Sequence, residues 1–286
     1  MQLKYNAISY VMNNGKPHHK MKVLIILNKK DEARKLLKDL KKSQNSDGGW
    51  AWLGWWPFDE PRPSSTYDTA YILDLFLGAG EKSTSECIKK AVNFLFSTQH
   101  PDGGWSESPK ISKAIKKEWV WYSTQYSITW ITARIISVLI DAGYRSDPRI
   151  HKALGYLRGM QNKEGGWPSH EEAPQRTDLW TMEDIIEAFV KMGEQKNSST
   201  IKNALDAIVK HRERWKDPSE NPLGIFVILG YELKHPYVQE CLDQLVENQH
   251  ADGGWGFYNN WPSNPDTVSA FIPHLLILGI ELERHD

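Results

Sequence analysis

Gln161-Asn162-Lys163-Glu164-Gly165-Gly166-Trp167 decides how the rest of the chain is read, because it recurs. Gln44-Asn45-Ser46-Asp47-Gly48-Gly49-Trp50, Gln99-His100-Pro101-Asp102-Gly103-Gly104-Trp105 and Gln249-His250-Ala251-Asp252-Gly253-Gly254-Trp255 share its spacing. Each is Gln, three residues ending in Asp or Glu, Gly-Gly, then Trp. One copy would be a turn; four are a repeat architecture. Amphipathic runs such as Ile88 to Phe96 and Ile150 to Leu157 precede them, which puts each Gln near a helix C-terminus. Gly-Gly supplies positive φ, so the helix stops and the chain turns. Trp returns a flat apolar surface with one N–H donor to the helix end, where the Gln amide can stack on the ring or bond to it. The stretch reads as a clasp between successive units.

Between the clasps two kinds of helix alternate. Asp31 to Lys42 is amphipathic, with Leu36, Leu37 and Leu40 on one side. Ser64-Ser65-Thr66-Tyr67-Asp68-Thr69-Ala70 opens a more apolar helix that ends at Gly78-Ala79-Gly80. Residues 125–142, 178–192 and 263–279 repeat that pattern, and Pro222 to Gly230 is a shorter version. After Ser198 to His211 the clasp is degenerate: Trp215 survives without Gln or Gly-Gly. The economical arrangement places apolar helices inside and amphipathic ones outside. The expected fold is all-α, an (α/α) toroid of five to six helical hairpins in one domain over residues 1–286. An open solenoid is the alternative.

Composition narrows the function. A net charge of −1 does not suggest nucleic acid. Cys87 and Cys241 fall in helical runs and read as reduced thiols. Met1 to Tyr5 has no apolar core behind basic residues, and no apolar run approaches membrane-spanning length. A soluble, cytoplasmic protein is the expectation. His18, His19 and His100 fall in turns and are expected to be solvated, and His274 stands alone in the last apolar helix. No metal site is expected, and the Gly-Gly pairs end helices rather than open a phosphate-cradling loop.

Gln-x-x-x-Gly-Gly-Trp followed by Ser-Thr-x-Asp-Thr-Ala resembles the repeat of squalene-hopene cyclases, oxidosqualene cyclases and class II diterpene cyclases. Protein prenyltransferase β-subunits share the fold. The resemblance runs through Trp50, Trp105, Trp167 and Trp255 and the helices at Asp68, Thr132 and Asp266. It implies an (α/α) toroid; full-length cyclases carry two such barrels, and this chain has room for one. It also implies protonation of an alkene or epoxide by an aspartic acid in an Asp-x-Asp-Asp-Thr-Ala motif. That motif is missing. Its nearest analogue, Thr181-Met182-Glu183-Asp184, puts Glu183 in the place of the acid, with Asp184 beside it and Asp178 and Asp68 as further candidates.

Such chemistry needs a carboxylic acid kept protonated in an apolar cavity and aromatic faces that stabilise carbocations. Among the 13 Trp, 11 Tyr and 8 Phe, Trp56, Tyr67, Trp121, Tyr126, Trp130, Trp180, Trp261 and Phe271 lie where they could line one. The bland alternative is packing, with acids such as Asp68, Asp184 and Asp266 serving the first turns of helices. The reading is protonation-initiated cyclisation of a linear isoprenoid, without a cofactor. A diphosphate substrate would add Mg²⁺ and call on Arg62, Lys116, Lys117 and Arg176. A small apolar substrate, peripheral membrane contact and a homo-oligomeric or second-barrel partner are compatible with it. Two alternatives stay open: a polysaccharide lyase-like enzyme, suggested by Gly165-Gly166-Trp167-Pro168, and a non-catalytic lipid- or protein-binding toroid.

Overall fold

The computed structural model describes residues 2–53, 61–114, 126–171 and 173–282. In chain order its helices are α1 (Ala7–Asn14), α2 (Pro17–Ile26), α3 (Lys30–Lys42), α4 (Thr66–Gly78), α5 (Glu86–Ser97), α6 (Pro109–Ala114), α7 (Thr129–Leu139), α8 (Pro148–Met160), α9 (Leu179–Lys191), α10 (Ser199–Lys210), α11 (Leu223–Ile228), α12 (Pro236–Glu247) and α13 (Pro265–Ile277). The chain divides into two compact units, Leu37–Ala204 and Met1–Leu36 with Leu205–Asp286. Cys87 in α5 and Cys241 in α12 are free thiols.

In the unit of residues 37–204, the buried helices α4, α7 and α9 pack in a row, with α5 against α4 and α8 against α7. The clasps fasten this row. Each Trp donates its indole N–H to a carbonyl ten residues upstream: Trp50 to Leu40, Trp105 to Leu95 and Trp167 to Leu157, at 2.6 to 2.7 Å. Those carbonyls are the orphans of a helix end, and the indole rings are fully buried. The Gln amide bonds to backbone rather than to the ring. Gln44, Gln99 and Gln161 donate to the carbonyl of the first clasp glycine, and to Cys87, Arg149 and Thr200 at the start of the next amphipathic helix.

The two glycines answer different demands. Gly165 has φ +93°, and a Cβ there would meet the Asn203 carbonyl oxygen at 2.1 Å. Gly166 has an ordinary φ but lies so close to Thr177 that a Cβ would come within 2.4 Å. The clasp acid ties down the start of the following buried helix: Asp47 accepts from Ser64 Oγ and Asp102 from Ser127 Oγ, at 2.7 and 2.8 Å. Two short strands, β1 (Trp50–Ala51) and β2 (Ser64–Ser65), pair antiparallel across the same junction. They are a local departure from an all-helical chain.

In the unit of residues 1–36 and 205–286, α13 packs on α1, α2 and α11. The fourth clasp closes on the N-terminal segment: Gln249 exchanges two hydrogen bonds with the Tyr5 backbone, and Gly253 packs on the Asn6 carbonyl. The degenerate clasp works with other residues. Asn221 Nδ2 donates to Trp215 O and to Cys241 O within α12, tying the degenerate clasp to the next amphipathic helix through carbonyls other than those the Gln residues use. Trp215 bonds to Ile208 O, seven residues back.

Candidate active site

The bonds from clasp acids to Ser64, Ser127 and Thr177 set α4, α7 and α9 in one register. Three residues on come Tyr67, Trp130 and Trp180, the second residue of each helix. They form a row of rings, Tyr67 to Trp130 at 4.9 Å edge-on and Trp130 to Trp180 at 5.5 Å. The i+4 positions, one turn further, are Tyr71, Arg134 and Asp184, where Arg134 Nη2 meets Asp184 Oδ1 at 2.6 Å. Beyond them Lys191 joins Glu187 at 3.1 Å and Asp141 at 2.6 Å. Tyr67, Tyr71, Asp74, Arg134, Trp180, Glu183, Asp184 and Glu187 are all half-buried. This face therefore carries an aromatic layer at the helix N-termini and a charged layer beneath it, instead of an apolar wall.

Burial works against the charge on Arg134, but Asp184, Tyr67, Glu187 and Asp74 overcome it and raise the guanidinium pKa well above its ordinary value. Lys191 is likewise disfavoured by burial and raised overall by Glu187 and Asp141. Arg134 and Lys191 are thus permanent cations between carboxylates.

A second group of acids sits at the helix N-termini. Asp68 Oδ2 accepts the Leu53 N–H at 2.9 Å, and Asp178, the N-cap of α9, accepts that of Ser169 at 2.9 Å and pairs with Arg176. Glu107, which the motif reading passes over, is more unusual. It is 1% exposed and receives Ser65 Oγ–H and Thr66 N–H at 2.5 Å and Ser108 N–H at 3.1 Å. Burial, with the nearby Asp68 carboxylate, pushes it up to about 7 against the pull of those donors. Its signal lay in its place: it follows the second clasp Trp by two residues, where the first and third clasps have Trp52 and Ser169.

The structure brings Tyr67, Trp130, Trp180, Glu183 and Asp184 onto one face, with Asp184 in the second turn of α9 rather than the first. Tyr126 is half-buried just before α7. Phe271 is buried edge-on against the clasp ring of Trp255 at 5.7 Å, and Trp261, 55% exposed, joins Phe257 and Tyr258 in a surface trio. Both belong to the unit of residues 1–36 and 205–286. Trp56, Trp121, Lys116 and Lys117 lie outside the described residues. Arg62 bonds to Trp52 O, and Arg176 is committed to Asp178. The histidine expectations fail: His18 and His19 are buried in α2, and half-buried His100 bonds to Ser106 and Ser127. Pro17 is the first residue of α2, where its missing N–H costs no helical bond.

Among the described residues no helix is long and apolar enough to cross a membrane. The computed fold resembles a variant of type II terpene cyclase MstE from Scytonema in complex with geranylgeranyl dihydroxybenzoate. The TM-score is 0.63 at 16% identity, over 92% of this chain and 86% of the other. That likeness shows an all-α (α/α) toroid fold. Lanosterol synthase ERG7 of Saccharomyces cerevisiae is 30% identical over 129 residues, 45% of this chain and 16% of that protein. Squalene–hopene cyclase of Bradyrhizobium diazoefficiens is 30% identical over 128 residues, again 45% of this chain and 18% of that protein. The chain therefore matches less than a fifth of either enzyme. The model of the squalene-hopene cyclase C-terminal domain matches residues 18–179, more than half of the chain, and the chain belongs to that family.

Proposed function

We propose that the protein is a class II-type terpenoid cyclase, which protonates a linear isoprenoid and folds the resulting carbocation against the α4–α7–α9 face. The observation that carries the reading is the row Tyr67–Trp130–Trp180, repeated at one register on three successive helices. Ring faces attract a passing cation without capturing it covalently. Glu183 stands one turn from Trp180 on the same half-buried stripe. We assign it the proton on its place in that stripe beside the aromatic row; Asp184 pairs with Arg134 and Asp178 with Arg176. Protonation of a terminal alkene, ring closure and loss of a proton balance without a redox cofactor. Asp68 and Glu107 orient the start of α4, and Mg²⁺ enters only with a diphosphate substrate. Cytoplasmic placement accompanies this reading.

The test is incubation with linear isoprenoids, free and as diphosphates, with and without Mg²⁺, read by mass spectrometry of extracts. A cyclised product is expected, lost by at least about a hundredfold in Glu183→Gln, the lower end of general-acid contributions. Trp130→Leu should slow turnover with little change in KM. No product from the whole panel, with an apolar ligand retained through purification, would make the protein a binding module instead.

A further inference from the structure

In the unit of residues 1–36 and 205–286 the repeat changes chemistry. Ser263 bonds to Asp252 as Ser64 does to Asp47, so the register position of Tyr67, Trp130 and Trp180 falls to Asp266. Asp266 Oδ1 lies 2.6 Å from His19 Nε2, and His18 Nε2 lies 3.1 Å from that same nitrogen. The three atoms all fall within 4.8 Å of one another. Both imidazoles are buried, at 9% and 3% exposure, whereas the Asp266 side chain is 74% exposed.

We infer that His18, His19 and Asp266 bind one divalent transition-metal ion of the Zn²⁺ class, held between the N-terminus of α2 and that of α13. His19 Nδ1 accepts the Lys16 N–H at 3.0 Å, so its single proton sits on Nε2. That one proton faces two acceptors, Asp266 and His18. A cation at their midpoint would serve all three lone pairs. Tetrahedral ligands about 2.0–2.1 Å from Zn²⁺ stand roughly 3.4 Å apart. The two histidine nitrogens, 3.1 Å apart, are close to that spacing, and Asp266, 2.6 Å from His19 and exposed, can move outward to reach it. Two imidazoles and one carboxylate favour Zn²⁺, Co²⁺ or Ni²⁺ over Mg²⁺ or Ca²⁺. The exposed side leaves a fourth position to water.

Loading has a structural consequence. A ligating Nε2 requires the His19 proton to move to Nδ1, which ends its bond with Lys16 N–H. Lys16 is exposed, so water can replace that acceptor. Lys16 and Lys22 lie close enough to oppose the incoming charge.

The experiment is titration of tag-free protein with Co²⁺, followed by tetrahedral d–d absorption, with Zn²⁺ as competitor. One saturable ion per chain is expected, weakened at least about tenfold in Asp266→Asn and abolished in His19→Gln. Lys22→Gln should tighten it. Circular dichroism checks that each variant is folded; Asp266→Asn alters an exposed side chain and keeps the test valid if His19→Gln does not fold. The Lys16 amide should exchange faster with solvent when Zn²⁺ is bound. No tetrahedral spectrum, or equal affinity in wild type and Asp266→Asn, would overturn the site and leave the cluster as a proton-sharing tie between two helices.

Discussion

At the scale of single residues, Glu107 shows how far a local environment departs from what a residue name suggests. Its carboxyl is held by three donors yet stays partly protonated near neutrality, because burial beside Asp68 outweighs them. The folded pKa, about 7, stands above the ordinary 4.5. Its stabilising contribution is therefore full below about pH 4.5 and is lost as pH rises through 7. The integrated effect is on the order of 3 kcal/mol. Urea unfolding of wild type and Glu107→Gln from pH 4.5 to 8 should show the wild type losing about that much relative to the variant. A stability difference that does not change with pH would remove Glu107 from this role. The Gly-Gly pair was legible as a helix stop, but only half of it for the reason foreseen. Gly165 needs its positive φ, whereas Gly166 is required by the close approach of Thr177. Proximity between residues eleven apart in sequence is not a local property.

At the scale of helices, the α4–α7–α9 row is held by apolar packing on its sides and by ion pairs on its open face. Arg134→Met should deprive Asp184 of its ion pair and remove the positive charge that Asp74 and Glu187 face, although Glu187 keeps Lys191. We expect a loss of about 2–4 kcal/mol in urea unfolding, moderated from the fully buried case by the half-exposure of the pair. Arg134→Met combined with Asp184→Leu should recover most of it. A double variant as unstable as the single one would show that the packing of Arg134, and not its charge, is what matters. The alternation of helix types was readable from periodicity, as was the acidic start of several helices. The charged layer was not, because Tyr71, Arg134 and Asp184 become neighbours only when three helices share a register set by their clasps. Asn221 makes the same point. No spacing rule marks it, yet its amide ties Trp215 to the following helix where the Gln is missing.

At the scale of the molecule, the last repeat depends on the first residues of the chain. Gln249, Gly253 and Gly254 dock on Tyr5, Asn6 and Tyr10, and Lys4 reaches Glu247 O. Ala7, Ile8, Tyr10 and Val11 of α1 are buried. Deleting residues 2–14 should cost on the order of 5 kcal/mol, from lost apolar burial and the Gln249 bonds. Hydrogen exchange at residues 245–255 should speed up accordingly. Unchanged protection there would mean that the fourth clasp holds without its dock. Nothing in the sequence of residues 3–28 shows what they meet.

The sequence by itself determined the alternating buried and amphipathic helices after α2, though not α6, together with the stops between them, the repeat, and through it the toroid fold and the family. Each of these rests on periodicity, glycine conformation and spacing along a short stretch. Only the tertiary structure decided which side chains share a face. It placed Tyr67 with Trp130 and Trp180, joined Asp184 to Arg134, buried Glu107 against α4, packed Phe271 on Trp255, and brought His18 and His19 to Asp266. Those neighbours come from helices far apart in the chain, and their distances depend on registers that no single segment encodes.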